Sequence, residues 1–229
     1  MSAQIAIVAA LPREIAALIR GISADAGLLR RGVHLYRVEG GVVVAAGMGA
    51  ERAAVAVEAA LAEGGVEMLV STGLAGGCSA GAVAGSVIEA NVVVDAKTGE
   101  RFTSAAELAG ESVTLATTET IASVREKARL AESYGAMLVD MEAATVARLA
   151  RANGLGFRAI KGVSDGFEFE LSSLAKFAGE RGSFRTGAFA LHTALRPWEW
   201  SKAIELGRGS SRALAELDEV LRGVLAGNQ

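Results

Sequence analysis

The run AMLVDMEAATVARLARANG (136–154) sets two carboxylates, Asp140 and Glu142, into an otherwise apolar stretch. Burying an unpaired carboxylate costs several kcal/mol, so a partner, a ligand or a reaction is expected beside such groups. The spacing also suits a helix start, with Asp140 as the N-cap and Glu142 as a first-turn acid facing the helix dipole. Spacing alone leaves both readings open.

Other polar groups stand where apolar runs end. Glu14 follows IAIVAA (5–10), the glycine turn STGLAGG (71–77) closes EMLV, and Ser164-Asp165 follows GFRAIKGV (156–163). In an open α/β sheet the ligand crevice lies outside the carboxyl ends of the strands, so these groups are expected to converge there. Glycine lets backbone approach a flat ligand closely. Each acid also has an ordinary structural reading: Glu14 as a first-turn helix acid and Asp165 as an Asx-turn or cap before Gly166. The remaining chemistry-bearing residues are sparse. Cys78 has no neighbouring His and reads as a small buried hydrophobe; His34 and His192 have no carboxylate pattern around them and read as structural. Two His and one Cys are too few and too scattered for a zinc site. GMG (47–49) lacks the rest of a dinucleotide fingerprint. No metal or cofactor is expected.

The elements that must hold these groups alternate short β-branched runs with Ala-rich helical stretches, the pattern of a sheet with helices packed on its faces. Strands are predicted at IAIVAA (5–10), VHLYRVEG with VVVAAG as a hairpin around Gly40-Gly41, EMLVSTG, GSVIEANVVVDA, SVTLATTE, AMLVD and GFRAIKGVSD. Helices are predicted at EIAALIRGI, at AERAAVAVEAALAE stopping at Gly64-Gly65, at IASVREKARLAES, at MEAATVARLARANG, and in a helical tail from Leu171 interrupted by RPWEW, whose Trp198 and Trp200 read as packing aromatics. With Pro only at 12 and 197 and no repeat, residues 1–229 read as one α/β domain with a central mixed β-sheet flanked by helices.

Composition agrees with that architecture. Across 229 residues, 51% are hydrophobic but only 5% aromatic, so Ala, Val, Leu and Ile fill a substantial core. A net charge of -3 without a basic block argues against nucleic acid or an anionic membrane as the main partner, and favours a small molecule or a protein. Every apolar run is broken before the roughly 18 residues that a membrane span needs. A single Cys and no leader pattern point to the cytoplasm.

Taken in order, IAIVAALPREI, AAGMGAERA, STGLAGG, VDMEAATVA and KGVSDG resemble the nucleoside phosphorylase and nucleosidase superfamily over residues 4 to about 168. The layout is most similar to the methylthioadenosine/S-adenosylhomocysteine nucleosidases. The tail GSFRTGAFALHTALRPWEW departs from them and looks more like a nucleosidase-like branch associated with hopanoid synthesis. The resemblance implies cleavage of the N-glycosidic bond of a 5′-substituted adenosine (methylthioadenosine, S-adenosylhomocysteine or a related nucleoside) to adenine and the substituted ribose. Glu14 would then position and deprotonate the attacking water, Asp165 would protonate the imidazole ring of the base, and Ser164 would orient that carboxyl group. Met141 would pack on the sugar, Glu142 would accept hydrogen bonds from ribose hydroxyls, and Asp140 stands where the nucleosidases usually have Glu. Ala75 and Gly76 would line the nucleoside through main-chain atoms, and Ile121 stands where these enzymes often stack a Phe on the base. Arg13 falls near a phosphate-binding Arg of the hexameric phosphorylases, whereas Ser71 and Leu74 replace their Arg and Ser. A homodimer or larger even homo-oligomer is implied. A phosphate-dependent phosphorylase and a catalytically idle nucleoside-binding protein are the alternatives.

Overall fold

The computed structural model describes residues 4–105, 112–170 and 200–227. Its strands are β1 (Gln4–Ala9), β2 (His34–Val38), β3 (Gly41–Ala45), β4 (Val66–Ser71), β5 (Leu74–Gly77), β6 (Val87–Ala90), β7 (Val92–Asp95), β8 (Arg101–Thr103), β9 (Thr114–Thr117), β10 (Ala136–Asp140) and β11 (Gly156–Asp165). They form one mixed sheet in the order β2-β3-β1-β4-β11-β5-β10-β9-β7-β8, with β6 paired to β11. The helices are α1 (Ala26–Leu29), α2 (Ala50–Leu61), α3 (Val124–Tyr134), α4 (Ala143–Ala152) and α5 (Trp200–Leu225).

Side chains of a strand alternate between faces, and a strand buried on both faces reads as a continuous apolar run. In β1, Ala6 and Val8 join Val42, Val44 and Leu69 on the face covered by α2 and α4. Ile7 and Ala9 join Val43 and Val70 on the opposite face, against Leu217, Leu221 and Val224 of α5, a helical stripe at i, i+4, i+7. The third layer of packing places α3 over β9 and β10, where Leu130 meets Ala116, Ala136 and Val139. Ser123 caps α3 by accepting from the Glu126 amide, and Gly135 ends it at φ 66°, a left-handed conformation that suits glycine. The 40–41 turn is a hairpin as predicted. Gly41 is required there because a Cβ would lie 1.9 Å from the Ile5 carbonyl oxygen.

Several predicted elements differ. EIAALIRGI is not an α-helix: Pro12–Glu14 form one 3-10 turn, followed by tight turns ending at Gly21, whose φ is 81°. The amide of Leu11 and the amide of Leu74 draw the Glu14 side chain inward, and the hydrogen bonds that follow mix three- and four-residue steps. The glycine turn is itself a strand, β5. GSVIEANVVVDA divides into β6 and β7, and the short β8 and α1 had no clear periodic signal. Of the predicted tail helix, α5 is described; His192, Trp198 and most of RPWEW lie outside the described residues.

Candidate active site

Strand β5 sets the geometry of the site. It runs parallel to β11 and antiparallel to β10, so the carboxyl ends of those two strands reach it from opposite directions, and Gly76 registers with both Val139 and Asp165. The predicted groups therefore converge, but not along one parallel edge. A cavity of about 430 Å³ opens there. Its walls include all nine predicted site residues, Glu14, Ala75, Gly76, Ile121, Asp140, Met141, Glu142, Ser164 and Asp165, and also Arg13. Leu206, Ser210, Ser211 and Leu214 of α5 close one side. Two small residues let α5 approach: a Cβ on Gly209 would lie 2.8 Å from the Ser164 carbonyl oxygen, and one on Gly162 would lie 3.0 Å from the Ala213 Cβ.

Glu14 is buried at the mouth of β1. Its Oε2 accepts from the Leu11 amide at 2.9 Å and its Oε1 from the Leu74 amide at 3.3 Å. Gly73 makes room for this carboxylate: its φ is 109°, and a Cβ would stand 2.8 Å from Glu14 Oε2. Burial pushes the Glu14 pKa up, opposed by those two amides and by the charges of Lys161 and Arg13.

Asp140 and Glu142 divide the two readings left open by their spacing. Asp140 accepts from Thr117 Oγ1 at 2.7 Å, from the Ala143 amide at 2.9 Å, and pairs with Lys161 Nζ at 2.8 Å. It serves the start of α4, and its carboxylate is already surrounded by donors although it borders the cavity. This leaves little of Asp140 for a ligand. Glu142 makes no side-chain cap bond; instead its Oε1 accepts from the Gly49 amide at 2.7 Å, which ties it to the start of α2. GMG thus supplies a backbone donor. Burial, reinforced by the neighbouring Asp140 charge, pushes the Glu142 pKa up to about 7 against the pull of Lys161 and of Gly49.

Two buried lysines complete the arrangement, and neither was singled out from the sequence. Lys161 is fully buried; besides Asp140 it donates to Ser71 Oγ and to the Thr72 carbonyl oxygen, both at 3.0 Å. A charge set between the apolar Ala159-Ile160 and Gly162-Val163 of β11 was the available signal. Lys127, 1% exposed, contacts Asp165 Oδ2 and donates to the carbonyl oxygens of Gly166 at 2.9 Å and Phe169 at 3.1 Å. Its place within VREKARLAESY reads as one more polar position on an exposed helix, which hid it. Ser164 Oγ contacts Asp165 Oδ1 and lies 3.2 Å from the Ala75 carbonyl oxygen. Burial pushes the Asp165 pKa up while Lys127 and Ser164 pull it down; the net direction is upward.

Of the residues set aside from the sequence, neither Cys78 nor His34 lines the cavity. Burial pushes the Cys78 thiol up to about 12, an inert state, and His34 lies in β2 with its pKa lowered by burial. Among the described residues no group of three or more His, Cys, Asp or Glu has the arrangement of a metal site, and no helix is long and apolar enough to cross a membrane.

A profile described as the phosphorylase superfamily matches residues 4–112 and 101–191, so this chain belongs to that superfamily. Within it, the fold is shared with solved nucleosidases. A 5′-methylthioadenosine/S-adenosylhomocysteine nucleosidase from Neisseria meningitidis superposes with a TM-score of 0.70 at 19% identity, covering 96% of each chain. The enzyme of the same name from Helicobacter pylori gives 0.63 at 16% identity over 84% of this chain and 97% of its own. Futalosine hydrolase from Helicobacter pylori gives 0.62 at 16% identity over 85% and 98%. A comparison with curated protein sequences returns no match.

Proposed function

We propose that this chain is a purine nucleosidase that hydrolyses the N-glycosidic bond of a 5′-substituted adenosine, with methylthioadenosine and S-adenosylhomocysteine as the first substrates to try. One observation carries the reading: three buried acids, Glu14, Glu142 and Asp165, surround a single cavity, each held by backbone amides, a hydroxyl or an ammonium. Cleavage proceeds through an oxocarbenium-like state, so the site must lower the negative charge on the departing base and offer a nucleophile to the anomeric carbon. Asp165, its pKa raised by burial and its second oxygen held by Ser164, protonates the imidazole ring of the base. Glu142 accepts from the ribose hydroxyls when ionised, which two adjacent hydroxyls can satisfy. Met141 packs on the sugar, and Ala75 and Gly76 border the nucleoside through their main chain. Glu14 orients and deprotonates water.

A phosphorylase must instead hold a phosphate dianion. The contact between Lys161 and Ser71 lends that second reading some support, because it brings a cation to a position that Ser71 alone leaves uncharged. That cation is already neutralised by Asp140, and Glu14 and Glu142 would repel a dianion. Water is therefore the proposed nucleophile. The chain is further proposed to be a cytoplasmic homodimer or larger even homo-oligomer, which light scattering would contradict by giving a monomer at micromolar concentration. The function is tested by incubating the purified protein with a panel of 5′-modified adenosines and measuring free base. Release of adenine from at least one is expected. Binding without release across the panel would leave the idle nucleoside-binding protein in its place.

A further inference from the structure

Both oxygens of Asp165 face donors, Oδ2 the ammonium of Lys127 and Oδ1 the hydroxyl of Ser164. An ammonium and a hydroxyl both favour the ionised form of this carboxyl group and work against the burial that raises its pKa, so base departure as proposed above calls for a proton source beside it. Of the two donors, the ammonium of Lys127 is a stronger acid than the aliphatic hydroxyl of Ser164. Lys127 occupies a core-facing position of α3, one turn before the buried Leu130, and its side chain borders the cavity. Gly76 makes space for the pair: a Cβ there would meet Lys127 Cε at 3.3 Å and Asp165 Oδ2 at 3.4 Å. Moving one proton from Nζ to Oδ2 converts two buried charges into two neutral groups, and a buried setting favours that exchange.

We infer that Lys127 supplies the proton that leaves with the base, passing it through the Asp165 carboxyl group; the inference rests on the N-glycosidase reading. As the bond between the anomeric carbon and the base breaks, its electron pair passes into the purine. Asp165 gives a proton to the imidazole ring and receives one from Lys127 Nζ, which is left as a neutral amine. The proton lost by the attacking water goes to Glu14. Once products depart and the cavity refills, solvent carries a proton from Glu14 back to Lys127, and the cycle closes with no net change on the protein. Lys127 thus acts through Asp165 rather than on the substrate itself.

The competing role is a pin, since Lys127 also ties the carbonyl groups of Gly166 and Phe169. Leaving-group dependence separates the two. Rates are measured for a series of purine nucleosides sharing one 5′ group, with bases running from adenine through 2-haloadenines to the more acidic 8-azaadenine. Wild type should show a shallow dependence of log rate on base acidity, because the poorest leaving group is helped most by protonation. Lys127→Met should lose about 10²- to 10⁴-fold on the adenine nucleoside and far less on the most acidic base, steepening the line. Lys127→Arg keeps the buried charge, and with it the fold, but a guanidinium does not surrender its proton, so the same steepening is expected. Asp165→Asn should give a similar slope, and combining it with Lys127→Met should add little, as for two members of one relay. Lines parallel to wild type in the Arg variant, whatever the overall drop, would overturn the relay and leave a pin. Wild type releasing base from no member of the series would instead overturn the parent reading, and the relay with it.

Discussion

Replacing Lys161 by Met tests the electrostatic core of the site. The ammonium pairs with Asp140 at 2.8 Å with both side chains 0% exposed, and it is the charge that restrains the pKa of both Glu14 and Glu142. Met fills a similar volume but leaves Asp140 with only Thr117 Oγ1 and the Ala143 amide as donors. Breaking a buried pair from one side costs about 3–5 kcal/mol. For a chain of this size each kcal/mol moves Tm by roughly 2–4 °C, so Lys161→Met should melt roughly 6–20 °C below wild type near neutral pH. The sign with pH follows from proton uptake. Without the ammonium the folded protein holds carboxyl protons that the unfolded chain releases, so the deficit should widen as pH rises from about 5 to about 8. Melts monitored by circular dichroism across that range are the assay, with Asp140→Asn and the double variant alongside. The double variant should recover much of the loss, since it leaves no uncompensated charge. A Lys161→Met protein melting within about 2 °C of wild type, or a double variant no better than the sum of the singles, would refute the argument.

Other consequences follow from the acids. Glu142, raised from 4.5 to about 7, is a group whose ionisation costs stability: between those values the folded state keeps a proton that the unfolded chain has lost, so stability falls as pH climbs through the window. Glu142→Gln should flatten that part of the stability profile and melt higher than wild type above about pH 7, while weakening nucleoside binding most at alkaline pH, where the wild-type carboxylate is ionised; an unchanged profile in both assays would contradict this. Gly73→Ala should lose about 1–3 kcal/mol, because φ 109° is strained for any side chain and the added methyl meets Glu14, and turnover should fall with it; denaturant titration showing wild-type stability would oppose it. Asp165→Asn should lower turnover about 10²- to 10⁴-fold with nucleoside binding retained, and Glu14→Gln should do likewise; a variant keeping a third of the normal rate, by about that measure, would remove that residue from its role.

Much of this arrangement was legible because apolar periodicity and polar interruptions carry different information. AMLVD and GFRAIKGVSD read as strands because their runs are buried on both faces, and β10 and β11 match them residue for residue. The acids at the strand ends stood out against those runs, and all of them reached the cavity. What stayed hidden depends on pairing. LAGG reads as a turn because glycine is a poor strand former in isolation; between β10 and β11 its small size is what the close approach of Lys127 and Asp165 requires. The antiparallel pairing of β5 with β10 leaves no local mark, and without it the two strand ends could not be known to meet head-on. EIAALIRGI carries a helical pattern, but with the Glu14 carboxylate held by the Leu11 and Leu74 amides the segment forms a 3-10 turn instead. Asp140 and Glu142 could not be assigned separate duties from spacing, since the partners that separate them, Lys161 and the Gly49 amide, come from distant segments.

The central claim is that water, directed by Glu14, attacks the anomeric carbon of a purine nucleoside. Its most direct test is product analysis by mass spectrometry after turnover in heavy-oxygen water, in buffer freed of phosphate and arsenate. The account predicts free adenine and a 5′-substituted ribose carrying one heavy oxygen on the anomeric carbon. Turnover that vanished without phosphate, returned when phosphate was added, and yielded an unlabelled ribose 1-phosphate would contradict it.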